Sequence, residues 1–254
     1  MANAWNAAVL WRNLALGATV IASSNIPGTP PATVQDDDVQ FRWRSQSSSD
    51  SLIFDLLDFA SLDTIALVAL TATTIRVRVS ATDPTGELGE LYDSNPQSVS
   101  QVYEQAIFLL PAAVAGRYVR VDLTHSTKSY VEAGFAVIGA KMQFTYNYDW
   151  GGGRGRIDPG RRAVTEDHQT QIDRRARMRT AALNFGWVNE TERWAILEAM
   201  DSEAGLSENV LLIMDCASVD LARDTILGLI DELAPTIDVA HELSSRAISI
   251  TERR

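Results

Sequence analysis

Apolar and polar residues alternate with a period of two over much of this chain, and no other feature restricts its fold as tightly. Leu52, Phe54 and Leu56 alternate with Ile53 and Asp55, Ile75, Val77 and Val79 with Arg76 and Arg78, and Tyr118, Arg120 and Asp122 with Val119, Val121 and Leu123. Successive side chains of a strand point to opposite faces, so such runs predict strands with one face in a core and the other in water. Turn signals at Pro27-Gly28, Asp83-Pro84-Thr85-Gly86 and Asn95-Pro96 divide them. The prediction for residues of about 10–145 is an antiparallel β-sandwich with no helix beyond a turn or two.

The pattern changes after Trp150. The segment from Gly151 to Gly160 carries five glycines and the turn former Asp158-Pro159-Gly160, which reads as a linker or a long exposed loop. Its glycines lack the strand–glycine–helix order and the Lys-Ser/Thr of a nucleotide loop. Ala181, Leu183, Phe185 and Trp187 then mark one face of a strand. Asn189 can cap a helix with Glu192 reaching back, Trp194, Leu197 and Met200 fall at helical spacing, and Gly205 is a natural stop. If the Trp194 ring is buried, its removal should cost about 3–5 kcal/mol. Val210–Met214, Thr225–Ile230, Ile237–Leu243 and Ala247–Thr251 read as further strands. The predicted fold class is mainly β: an N-terminal antiparallel sandwich over 1–150, a Gly/Arg linker or loop over 151–164, and a smaller α+β domain with one main helix over 165–254.

Charge narrows the function. The 254 residues carry a net charge of −11, which argues against general nucleic-acid binding. The charge is uneven: Arg154–Arg179 holds eight arginines and four acids, net +4, whereas Thr180–Arg254 is net −9. A basic arm beside an acidic domain can engage the acidic surface of a neighbouring copy. Arg174, Arg175 and Arg177 are the candidate interface residues; a solvated strand and linker is the plainer reading of the same run. No apolar run approaches the roughly 20 residues that span a bilayer, and the longest, Ile65 to Leu70, is strand-sized. The start Met-Ala-Asn-Ala-Trp has no basic residue before Arg12, which reads against a secretory signal. Cys216 stands alone, so an intrachain disulfide is excluded and the residue reads as a small buried group.

No catalytic constellation emerges. His125, His168 and His241 lie far apart and lack paired ligand spacing, and there is no Gly-x-Ser-x-Gly elbow. Asp55, Asp58 and Asp63 read as strand-end and turn residues rather than a glycosidase pair. The expectation is a binding or structural protein, not an enzyme.

Particular segments carry a resemblance. Asn13-Leu-Ala-Leu-Gly17 with Thr19 to Ser24, the acidic loop Asp36-Asp37-Asp38, Trp43-Arg44-Ser45, Leu52-Ile-Phe-Asp55-Leu56 and Arg117-Tyr118-Val-Arg120-Val-Asp122 fall in the order of the discoidin-like (galactose-binding-like) jelly roll. Two departures are that Leu57 stands where the family has glycine and that the family's disulfide is absent. The resemblance implies a calcium ion near Asp36, Asp37 and Asp38, whose hard oxygens suit it, against the alternative of a solvated acidic turn. It also implies a glycan site, for which Trp43, Tyr92 and Tyr103 are the candidate stacking aromatics. Leu183-Asn-Phe-Gly-Trp187, Leu211-Leu-Ile-Met-Asp215 and Ile226-Leu-Gly-Leu-Ile230, with Tyr130 to Gly139 in the sandwich, resemble tail-tip (distal-tail-like) minor tail proteins of tailed bacteriophages. That second resemblance implies a structural subunit of the phage tail tip or baseplate, made in the host cytoplasm and located in the virion. Its partners would be itself, as a ring with six copies preferred to three, other tail proteins, and a host surface glycan, with no nucleic acid and no membrane insertion. The alternative is a carbohydrate-binding module of a soluble or enzyme-attached protein.

Overall fold

The computed structural model describes residues 3–164 and 168–254. In chain order its first strands are β1 (Ala8–Leu10), β2 (Thr19–Ala22), β3 (Trp43–Arg44), β4 (Ser49–Val68), β5 (Thr74–Ser80), β6 (Tyr92–Asp93) and β7 (Gln97–Ser98). They are followed by β8 (Gln105–Thr124), β9 (Glu132–Ala133), β10 (Phe135–Gly139) and β11 (Met142–Gln143). The two 20-residue strands β4 and β8 run antiparallel along their whole length and bend together, with register shifts between Asp55 and Ala60 and between Leu62 and Thr64. Before the bend, β4 lies between β2 and the second half of β8, which in turn pairs β5. Beyond it, β4 lies between β10 and the first half of β8. One pair of strands thus serves both sheets of the sandwich. The bend uses Leu57 at φ 71, a left-handed backbone that a glycine would occupy without strain. Only short 3₁₀ turns, Leu14–Gly17 and Pro31–Gln35, interrupt the β structure before β11, as the alternation predicts.

The second sheet of the molecule holds β12 (Gly153–Ile157), β15 (Met178–Asn189), β16 (Val210–Ile213), β17 (Thr225–Ile230), β18 (Ile237–Ala240) and β19 (Leu243–Glu252), with β13 (Arg161–Val164) and β14 (Thr170–Asp173) forming a separate hairpin. Helix α1 (190–203) covers one face, and a short α2 (Leu221–Asp224) precedes β17. The predicted division at 150 needs correction. Strands β1 and β11 belong to this second sheet, in the order β11-β1-β16-β17-β19-β15-β12. The sandwich is therefore an insertion between them. Nor is 151–164 a linker, because β12 pairs in register with β15 from Gly153↔Ala182 to Ile157↔Met178. Glycine there permits close pairing, and a Cβ at Gly155 would lie 2.9 Å from Thr180 Oγ1.

Three apolar cores stack in series. Trp43, Leu52, Phe54, Ile65 and Leu67 lie between the sheets of the sandwich. Ala66, Val68, Ile107, Phe135 and Val137 lie on the outer face of the same strands and meet Leu10, Leu211, Ile213 and Leu227 of the second sheet. Val210, Leu212, Phe185, Ile226 and Ile250 point the other way, toward Ile196, Leu197 and Met200 of α1. The uninterrupted apolar stretches 65–68, at the end of β4, and Val210–Ile213 are strand segments buried on both faces, each feeding two cores alternately. The two units are joined by an apolar core rather than by a tether, which fixes their mutual placement.

The helix departs from its expected face. The Asn189 side chain accepts from Glu192 N (2.9 Å) as predicted, but Glu192 does not complete the capping box; it accepts instead from Thr145 N (2.5 Å). Ile196, Leu197 and Met200 are buried while Trp194 is 59% exposed. Residues Arg193–Glu198 form a wider π-type turn, which rotates Trp194 off the stripe that ideal helical spacing assigns to it. Trp187 is also exposed, because a bulge between Phe185 and Val188 hands the inward position to Val188. Trp194→Ala is accordingly expected to change unfolding stability by no more than about 0.5 kcal/mol, as for other surface substitutions, measured by urea titration.

Candidate functional site

The three candidate stacking aromatics do not form one platform. Trp43 is fully buried between the sandwich sheets, with Nε1 donating to Ser24 O (3.0 Å), so it is a core residue and is corrected as a ligand contact. Tyr103 lies at the seam between the units, its ring centroid 4.9 Å from the Arg179 guanidinium. Tyr103 borders a space of only about 20 Å³, whereas Tyr92, half-buried on β6, lines a wide cleft. That cleft holds about 550 Å³. It is bounded by Tyr92, Gln97, Ser98 and Ser100, by the 105–109 stretch of β8, and across from them by 218–222 of the second unit. The cavity arises because the first half of β8 is the edge of its sheet while the second half continues into β5.

The acidic loop is engaged piecemeal. Asp36 Oδ1 accepts from Asp38 N (2.8 Å), Asp38 Oδ1 accepts from Gln40 N (3.0 Å), and Asp37 Oδ1 accepts from Asn209 Nδ2 (3.1 Å). The carboxylates thus cap successive turns and dock the loop on the second unit. No group of three or more His, Cys, Asp or Glu side chains converges as a metal site among the described residues. Cys216 is half-buried, and burial pushes its thiol up to about 11, the character of an inert thiol.

The arginine-rich segment has two parts. Arg154 and Arg179 are spoken for internally. Arg154 meets Asp224 at 2.6 Å. Burial alone would raise the Asp224 carboxyl, but hydrogen bonds from Arg223, Ser218 and Arg154 outweigh it and hold it down at about 2. Arg179 binds Glu252 (2.7 Å) with both side chains about nine-tenths buried, and donates to Gln105 Oε1 (3.2 Å) and to the carbonyls of Ala222 and Arg223. Gln105 in turn donates to Ala222 O and Thr225 O. This polar lock spans the sandwich and the second sheet, and charge counting alone does not reveal it.

The second part is an exposed arm that leaves the sheet at its edge strand β12. Every residue of β12, β13 and β14 is exposed, and the β13–β14 hairpin pairs with no other strand among the described residues. A cleft of about 800 Å³ at its base is lined by Arg156, Arg162, Arg174, Arg175, Arg177 and Arg254, with Asp158 and Asp173. Arg175 pairs Asp173 and Arg177 pairs Asp158, both at 3.0 Å and both exposed, so each pair contributes little. Arg156, Arg162, Arg174 and Arg254 form no ion pair with a described carboxylate. Ile157, Val164 and Ile172 are exposed on the same arm. Along the strand direction, β12 pairs the start of β15 while β18 pairs the start of β19, which lies opposite the end of β15, and there the β17–β19 connection is the arm's counterpart in charge. Asp231, Glu232, Asp238 and Glu242 are exposed there beside Leu233, Ile237 and Val239.

These elements define an antiparallel β-sandwich built into a larger, mainly β chain with one main helix. Neither a protein-family model nor a curated protein matches the chain. Among solved structures the sandwich half is similar to chitosan-binding module 1 of a chitosanase/glucanase from Paenibacillus sp. IK-5, at 21% identity and TM-score 0.41, over 51% of this chain and 99% of that one. It is also similar to a fucose-binding module from Streptococcus pneumoniae (13% identity, TM-score 0.40, 50% of this chain and 97% of that one). A third is a family 32 carbohydrate-binding module from Clostridium perfringens in complex with galactose (9% identity, TM-score 0.43, 50% of this chain and 96% of that one). The sandwich itself is defined by its strand pairing.

Proposed function

We propose that this chain is a self-assembling structural subunit that displays its carbohydrate-binding-type sandwich on the outside of a ring. The observation that carries the reading is the arm. A two-stranded hairpin exposed on both faces is marginal in water, and this one presents arginines and isolated aliphatic side chains together. The acidic, partly apolar 231–242 segment has the complementary chemistry and lies toward the opposite end of β15 and β19 along the strand direction. Head-to-tail pairing of two different surfaces closes into a ring when the rotation allows. The resemblance of 183–187, 211–215 and 226–230 to tail-tip proteins supports a bacteriophage tail tip or baseplate as the setting, with the second unit inward and six copies preferred to three. In that setting the chain is a component of purified virions.

Charge reversal tests the pairing. Arg174→Glu, Arg175→Glu and Arg177→Glu together should shift sedimentation from oligomer toward monomer while circular dichroism stays unchanged. Glu232→Lys with Glu242→Lys should do the same, and mixing the two variants should restore association. A wild-type chain that sediments only as a monomer, or an oligomer indifferent to both reversals, removes the reading.

The alternative function, a carbohydrate-binding module of a soluble or enzyme-attached protein, is favoured by one specific feature: the open Tyr92 cleft on the sandwich. Binding on a glycan array by a chain that remains monomeric supports this alternative over the ring.

A further inference from the structure

We propose that the cleft between the open edge of the sandwich and the 218–222 segment is a saccharide site, built jointly by both units and selective for neutral or amine-bearing sugars. The inference rests on the binding reading of the sandwich and is independent of the ring. A volume of about 550 Å³ is that of a small-ligand site. A pyranose offers an apolar C–H face and a girdle of hydroxyls, so its site needs an apolar floor and directional polar groups around it. Ile75 and Phe108 supply apolar floor, and the half-buried Tyr92 ring stands beside them. Gln97 and Ser98 are exposed at the rim. Along 106–109 the backbone pairs with β4 on one side only, so alternate N–H and C=O groups face away from that partner, on the cleft side.

The far wall sets the charge preference. Asp220 is the only charged residue among the described residues lining the cleft. A carboxylate-bearing sugar would meet like charge and no cation there, whereas an ammonium group could pair with Asp220. Burial pushes the Tyr92 phenol up, with the neighbouring Asp93 charge adding to it, so its hydroxyl stays protonated at neutral pH.

A glycan array probed with the labelled full chain tests the site. Val219 is fully exposed on the second unit's wall, so Val219→Arg alters the mouth of the cleft without touching a core. Tyr92→Ala and Val219→Arg should each weaken glycan binding by about tenfold or more, the scale of one lost anchoring contact, with sedimentation unchanged. Asp220 caps α2 by accepting from Arg223 N, and asparagine keeps that role. Asp220→Asn should therefore weaken amine-bearing glycans alone. Binding confined to sialylated or uronate glycans overturns the proposal. Binding that survives both Tyr92→Ala and Val219→Arg overturns it too, but leaves the sandwich a carbohydrate-binding module with its site elsewhere. No glycan bound at all removes both readings.

Discussion

Trp43→Ala is expected to lower unfolding stability by about 3–5 kcal/mol, the cost of emptying a large aromatic site. The ring is fully buried and belongs to the core between the two sandwich sheets. Truncation would leave a cavity bordered by neighbours held in β-sheet, which collapse poorly into empty space. It would also strand the Ser24 carbonyl that the indole N–H now satisfies. The midpoint of urea unfolding should fall with little change in slope. An unchanged midpoint with lost sugar binding would reverse the assignment and return Trp43 to the role of a stacking platform.

Glu252→Ala should be comparably severe, at about 3–5 kcal/mol, because it leaves a buried guanidinium uncompensated. Glu252 accepts from Arg179 N and from its Nε, both at 2.8 Å. The same guanidinium holds Gln105 on the sandwich side and Ala222 and Arg223 on the other, so the damage should spread across the seam. Replacing both partners, Arg179→Met with Glu252→Leu, should recover most of the loss, since an apolar pair of similar volume avoids the desolvation that two charges incur. If the single substitution proves neutral in thermal unfolding, the ion pair does not hold the seam.

What could be read from the residues, and what could not, divides along physical lines. Leu52/Phe54 and Val77/Val79 were legible because each strand faces one core and water, which leaves a clean alternation. Thr225–Ile230 and the stop at Gly205, with φ 54, were legible for local reasons. The division of the chain was not, because β1 and β11 are three and two residues long, too short to show any period. Their partners lie far away, Val9 opposite Leu212 and Met142 opposite Val9. Trp187 and Trp194 were misplaced by a bulge and a π-type turn, each of which shifts a register that pattern-reading takes as ideal. Of the candidate site, Tyr92 and the exposed arginines are placed on open surfaces. Arg154 and Arg179 show the limit of counting charges, since a partner 70 or more residues away decides whether an arginine faces water or a buried carboxylate.

The insertion of the sandwich between β1 and β11 dictates an order of events during synthesis. β1 leaves the ribosome early, yet one of its neighbours is made at 142–143 and the other at 210–213. The intervening sandwich contains its own strand partners and can close while the rest of the chain is still being made. Once closed, it holds its two ends together: Asn13 Nδ2 donates to Ala136 O (2.8 Å), and Ile138 N donates to Asn13 Oδ1 (3.0 Å). A loop of more than 120 residues thereby becomes a rigid clasp, and the entropy of joining β1 to β11 falls to that of a few residues. The N-terminal unit thus acts as the jig on which the later sheet is laid down. Strands β16 and β17 arrive to find an apolar face already formed by Val68, Ile107 and Phe135, with one edge strand waiting in position.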